Sequence, residues 1–209
     1  MWKVIGWFAV AVIIAISVYV LSGDRPDPKN YALRSGPVIA FGDSLVYGTG
    51  STAGNDFVSK LSVMTNRSIE NMGIPGDTTA QGLTRIDTVL ERKPAIVIVL
   101  LGGNDYLQRK PKEETFANLG VIIEKLKADD VAVILLGVRG GLLRDGFSEG
   151  FDALARQYDV AYVPNILDGV IGHRELMSDQ VHPNDAGYAK IADRVYPTLM
   201  SVMEGSLSP

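Results

Sequence analysis

Two short runs of apolar residues constrain the fold of this chain more than anything else in it. Residues 95–101 read AIVIVLL and residues 131–136 read VAVILL. Both are continuously apolar and rich in β-branched side chains. A strand with one wet face alternates polar and apolar residues, whereas a strand covered on both faces has no polar side to show. The two runs are therefore expected to be central strands of a sheet buried on both sides.

The remaining chain alternates to suit such a sheet. Shorter strands are expected at residues 38–41, 68–72 and 161–163. Helical spacing runs through residues 56–65, where Phe57, Val58, Leu61 and Met64 fall together, and through 78–91, with Leu83, Ile86 and Leu90 on one face. Further helices are expected at 116–126, 147–158 and 186–203. Pro197 lies inside the last of them, and should kink it or expose a free carbonyl one turn back. Alternating strands and helices with fully apolar strands imply a parallel sheet between helical layers. The fold class is thus α/β: a three-layer α/β/α sandwich on a five-stranded parallel sheet, flavodoxin-like. In such sheets ligands bind beyond the carboxyl ends of the strands.

The N-terminus is of another kind. Residues 4–21 form an 18-residue uncharged run, VIGWFAVAVIIAISVYVL. As a helix it would span roughly 27 Å, close to the hydrocarbon thickness of a bilayer. Lys3 precedes it, and Trp2, Trp7 and Tyr19 lie towards its ends. The expectation is a transmembrane anchor or signal segment over 1–22, a polar linker with two prolines over 23–36, and a folded α/β domain over 37–209. The anchor would hold the folded domain on the extracytoplasmic, periplasmic side of the membrane. Cleavage of the run as a signal would instead leave a secreted or periplasmic protein.

Of 209 residues none is cysteine, which excludes thiolate nucleophiles and cysteine-ligated metals, and only His173 and His182 can supply an imidazole base. The net charge of −4 argues against nucleic acid as a partner. His173 sits beside Arg174 and Glu175 in a polar stretch and reads as a surface residue.

Four polar or glycine-rich segments follow the expected strands. They are Gly42-Asp43-Ser44, the stretch from Gly73 to Asp77, Gly102-Gly103-Asn104-Asp105, and Asp179-Gln180-Val181-His182-Pro183 before the last helix. Taken singly, each is an ordinary turn or helix cap. Taken together, they hold one of each group that acyl transfer requires. Ser44 is a hydroxyl nucleophile in need of a base. His182 can take its proton and return it to the leaving group. Asp179, three residues earlier, can fix the imidazole tautomer and stabilise the imidazolium. The backbone N–H groups of Ser44 and Gly73 and the side-chain amide of Asn104 can meet an oxyanion. Asp43 and Asp105 are expected to brace their own loops, and Asp77 and Thr78 to start the following helix. No ligand set remains for a metal, and no cofactor is called for.

The segments FGDSLVYG, the Gly73 stretch, GGND and DQVHPN resemble the four conserved blocks of the GDSL-type (SGNH) serine hydrolases, in the same order, over residues 38–203. In that family the serine of the first block is the nucleophile, the glycine and asparagine of the next two form the oxyanion hole, and the aspartate and histidine of the last complete the triad. The resemblance implies these roles for Ser44, Gly73, Asn104, Asp179 and His182. GIPGDTTAQGLTRI and LLGGNDYLQ look most like the arylesterase, acyl-CoA thioesterase and lysophospholipase subgroup. The implied substrate is a small-molecule acyl ester or a lipid, with Leu107, Leu142 and Leu143 available to line an acyl pocket. Two alternatives stay open: a carbohydrate O-deacetylase of the cell envelope, for which Tyr47 and Tyr106 are the available rim aromatics, and a non-catalytic flavodoxin-like binding module.

Overall fold

The computed structural model describes residues 33–138 and 147–205. Five parallel strands form one sheet: β1 (Val38–Gly42), β2 (Ile69–Gly73), β3 (Ile96–Leu100), β4 (Ala132–Leu136) and β5 (Ala161–Val163). Their order across the sheet is β2-β1-β3-β4-β5. Every residue of β1, β3 and β4 is buried, as the unbroken apolar runs require. β2 lies at an edge and tolerates the polar Glu70 and Asn71.

Seven α-helices are found among the described residues: α1 (Ser44–Tyr47), α2 (Phe57–Thr65), α3 (Thr79–Leu90), α4 (Gly103–Leu107), α5 (Lys112–Ala128), α6 (Phe147–Tyr158) and α7 (Asp185–Met203). The longer ones form two sets. α2 packs on α7, with the Phe57 and Tyr188 rings stacked at 6.5 Å. α3 packs on α5 and α5 on α6, where Phe116 meets Phe151 edge-on at 5.3 Å. A fully buried leucine, isoleucine or phenylalanine contributes about 1.5–3 kcal/mol. The side chains of Phe41, Ile98, Leu119 and Ile191, all inaccessible to solvent, are therefore worth far more than any surface contact.

Several boundaries differ from the sequence pattern, each for a physical reason. α5 starts at residue 112, four residues before its apolar period begins. Its first turn carries the exposed Glu113 and Glu114, which suit the positive end of the helix dipole, and its buried residue there is the polar Thr115, so no apolar signal appears. α1 and α4 are too short to show any period. α7 runs unbroken through Pro197. The inward face of α3 is Thr79, Gly82, Ile86 and Val89; Ile86 lies on it as expected, while Leu83 and Leu90 are half-buried at its flank. No helix among the described residues is long and apolar enough to cross a membrane. The run at residues 4–21 lies outside the described residues, as do Leu142 and Leu143.

The chain moves from one side of β1 to the other between β2 and β3. A crevice opens at such a switch point, beyond the carboxyl ends of β1 and β3. Those ends lead into Asp43-Ser44 and Gly103-Asn104.

Candidate active site

β1 ends in a turn that only glycine fits. A Cβ on Gly42 would lie 2.2 Å from the Leu100 carbonyl oxygen and 2.5 Å from a Val46 methyl. Asp43 follows as the N-cap of α1, its Oδ1 accepting from the Leu45 N–H at 3.0 Å. This cap makes Ser44 the first residue of the helix. A first-turn N–H has no acceptor within its own helix, so that of Ser44 is left for another oxygen. Asp43 is 3% exposed, and burial pushes its carboxyl up to about 7 against the pull of the Leu45 N–H.

His182 comes from the loop before α7. One carboxylate oxygen of Asp179 accepts the N–H groups of Val181 and His182, both at 2.8 Å, and so folds the loop. The other lies 2.7 Å from His182 Nδ1. That double use explains the three-residue spacing: the turn that binds the backbone also sets the ring. The opposite ring nitrogen, Nε2, lies 3.0 Å from Ser44 Oγ. The hydrogen bond from the His182 ring, and then the Val181 N–H, hold the Asp179 carboxyl down at about 2. The start of α7 is clamped to the segment that follows α1. Asp185 accepts both the N–H and the hydroxyl of Thr52 at 2.7 Å, and the Tyr188 hydroxyl donates to the Thr49 carbonyl at 2.8 Å. Asn184, not Asp185, caps α7, accepting from the Ala186 and Gly187 N–H groups.

The other expected donors stand in different conditions. The Asn104 amide nitrogen donates to the Asp77 carbonyl at 2.9 Å and, more weakly, to Asp43 Oδ2 at 3.5 Å. The Gly73 N–H donates to Asn71 Oδ1 at 3.0 Å, while the Asn71 amide donates to the Val46 carbonyl at 2.6 Å. Gly73 has no positive φ. It is required because a Cβ there would meet Tyr47 N at 2.2 Å and the Asp43 carbonyl oxygen at 2.8 Å. Gly73→Ala is therefore expected to push α1 off the end of β2 and to lower stability by roughly 1–3 kcal/mol, the usual cost of overpacking. Thermal or denaturant unfolding would measure it; an unchanged midpoint would mean that α1 yields freely.

Asp105 braces a distant element instead of its own loop. It accepts the Thr79 N–H at 2.8 Å and the Thr79 hydroxyl at 2.6 Å, and so holds the start of α3. Thr78 caps α3 in a capping box with Gln81, as expected, but Asp77 pairs with Arg85 at 2.6 Å. Asn71 and Arg85 were not singled out from the sequence. Arg85 carried a signal: it is three residues after Gly82 and four before Val89, a charge on an otherwise buried stripe. His173 is on the surface, 3.4 Å from Glu175.

A cleft opens beside Ser44, Asn104 and His182, and its far wall is apolar. Leu45, Leu107, Val138, Phe147, Leu167 and Ile171 contribute to that wall. Tyr106 also reaches the cleft and packs edge-on against Phe147 at 5.3 Å. A hydroxyl, an imidazole and a carboxylate in hydrogen-bonded series at the mouth of an apolar cleft can deliver a deprotonated oxygen to the carbonyl of a bound acyl group.

Known proteins share this arrangement of sequence and fold. Residues 40–190 match the model of the GDSL-like lipase/acylhydrolase family. Esterase TesA of Pseudomonas aeruginosa is 36% identical over 142 residues, which are 65% of this chain and 71% of that protein. Thioesterase 1/protease 1/lysophospholipase L1 of Escherichia coli is 30% identical over 171 residues, 78% of this chain and 82% of that protein. Among solved structures, AlinE4, an SGNH-hydrolase family esterase, superposes with a TM-score of 0.65 at 34% identity, covering 81% of this chain and 97% of that one. By family match, identity and coverage, this chain belongs to the GDSL-like lipase/acylhydrolase family and is a carboxylic ester hydrolase.

Proposed function

We propose that the chain cleaves acyl esters and thioesters through a covalent acyl-enzyme, with Ser44 as nucleophile, His182 as general base and acid, and Asp179 as the group that orients the ring. The observation that carries this reading is the series of contacts, 3.0 Å from Ser44 Oγ to His182 Nε2 and 2.7 Å from Nδ1 to Asp179. Ser44 Oγ attacks the substrate carbonyl as its proton passes to Nε2. The tetrahedral oxyanion is met by the Ser44 N–H and by the Asn104 amide, which exchanges its long 3.5 Å contact with Asp43 Oδ2 for the charged oxygen. Gly73 joins them by turning its N–H from Asn71 to the oxyanion, the stronger acceptor because it is charged. Collapse expels the alcohol or thiol, which takes the proton from His182. Water, deprotonated by the same imidazole, then hydrolyses the acyl-enzyme and frees Ser44.

The apolar wall of the cleft favours an acyl chain over a sugar. Tyr106, a candidate aromatic for a carbohydrate cleft, is packed against Phe147. We therefore rank aryl or alkyl esters and lysophospholipids above acetylated polysaccharide, with Leu107, Leu142 and Leu143 as acyl-contacting residues. The uncharged run at residues 4–21 would keep the domain, residues 37–209, on the extracytoplasmic face of a membrane, close to lipid acyl chains.

A fluorophosphonate probe tests the chemistry, and a panel of p-nitrophenyl esters from acetyl upwards, beside lysophospholipid and acetylated sugar, tests the substrate. Peptide mapping should find the phosphonate on Ser44. Turnover should rise with the first few methylenes, each worth up to about 0.8 kcal/mol on burial. Label on another residue, or none on folded protein, would remove the mechanism. Preference for the acetylated sugar would reinstate the deacetylase.

A further inference from the structure

We propose that Arg85 is a positioning residue that sets the spacing of the oxyanion donors, an inference resting on the roles given to Ser44, Gly73 and Asn104 above. Its guanidinium reaches three separate segments. Nη2 donates to the Gly42 carbonyl at 2.7 Å, Nη1 to the Met72 carbonyl at 2.9 Å, and Nε to Asp77 Oδ2 at 2.6 Å. Each acceptor adjoins one donor of the oxyanion set. Gly42 stands two residues before Ser44, and Met72 directly precedes Gly73. The Asp77 carbonyl is the group that accepts from the Asn104 amide.

The physical setting makes this junction stiff. The Arg85 side chain is 15% exposed and the Asp77 side chain 9%. The guanidinium lies over the Phe41 ring, 4.2 Å from its centroid, so its plane is fixed by stacking as well as by hydrogen bonds. A planar fork with several donors at set angles holds acceptors at set distances. β1 and β2 are joined by the sheet ladder, with Gly42 opposite Gly73, but the loop that carries Asp77 has left the sheet. Arg85 ties that loop back to both strand ends. A lysine would keep the charge beside Asp77 and lose the fork.

The experiment compares Arg85→Lys, Arg85→Gln and Asn104→Ala, alone and with Asn104→Ala combined with each Arg85 variant, using a p-nitrophenyl ester. Unfolding midpoints ensure that each is assayed well below its transition. Should Arg85→Gln leave Asp77 unpaired and fail to fold, Arg85→Lys carries the test. Asn104→Ala alone is expected to lower kcat by about 10²–10³-fold. Arg85→Lys is expected to lower kcat by roughly 10–10²-fold with KM little changed, the effect of misplacing groups by about an ångström. In the combined variant the two losses should fall short of their product, because the part of the Arg85 effect that passes through Asp77 to Asn104 is already lost. A lower midpoint with unchanged kcat would show Arg85 to be structural only and overturn the proposal. So would full multiplication of the two losses, or a change confined to KM. Undiminished kcat in Asn104→Ala would remove the oxyanion reading itself, whatever Arg85 does.

Discussion

Replacing Ser44 by alanine is expected to lower kcat by about 10⁶-fold while leaving the fold intact, and His182→Ala to do nearly as much. Ser44 opens a four-residue helix at the rim, and its hydroxyl meets His182 Nε2 at 3.0 Å. Removing that hydroxyl costs at most about 1 kcal/mol of stability, the net worth of one hydrogen bond. The loss of rate is of another order, because among the described residues the Ser44 hydroxyl is the only one hydrogen-bonded to the His182 ring. Serine and imidazole act as one unit, since the base is useful only for the proton it takes from the serine. The double variant should therefore lose no more than either single one. What survives is the contribution of the oxyanion donors and of binding in the cleft. Circular dichroism and steady-state kinetics on the three variants check the whole statement. Ser44→Ala with substantial turnover, or a double variant that loses the product of both effects, would require a different nucleophile.

What could be read from residues alone depended on how far each effect travels along the chain. The buried strands were legible because burial on both faces leaves a composition, not a pattern, and AIVIVLL and VAVILL have it. The pairing of Asp179 with His182 was legible because three residues and one turn contain it. Leu107 was legible as a cleft residue because it follows the Asn104 segment directly. The reason for Gly73 was not legible: its demand is the closeness of Tyr47, brought there by the parallel register of β1 and β2. Asp105 was assigned to its own loop because nothing local reveals that Thr79, 26 residues earlier, would present its N–H and hydroxyl. Arg85 reaches back 43 residues to Gly42. Such contacts follow from the topology, which the local sequence specifies only in sum.

The second large effect is expected from Asp179→Asn, about 10²–10⁴-fold in kcat with little change in KM. Asparagine can keep the loop, since its carbonyl oxygen can accept the Val181 and His182 N–H groups as the aspartate does at 2.8 Å. Its amide would then face His182 Nδ1, where the carboxylate oxygen lies at 2.7 Å. An amide donates where the carboxylate accepted. The ring would turn its lone pair to Nδ1 and carry its proton on Nε2, so Nε2 could no longer take the proton of Ser44. A fully buried pair would give the upper figure. The Asp179 side chain is about half exposed, so water competes for the ring and draws the expectation towards the lower one. The same contacts fix the sign of the pH effect. The folded carboxyl is held at about 2, below its ordinary 3.8, so its favourable interaction with the loop and ring is complete above about pH 4 and fades as pH falls towards 2. Asp179 is thus ionised throughout the neutral range, so the acid limb of a kcat/KM profile does not report this carboxylate. Substitution by asparagine should lower the plateau without creating a new acid limb. An asparagine variant with unreduced kcat would mean that the imidazole is oriented by its packing alone, and that the site works as a pair rather than a triad.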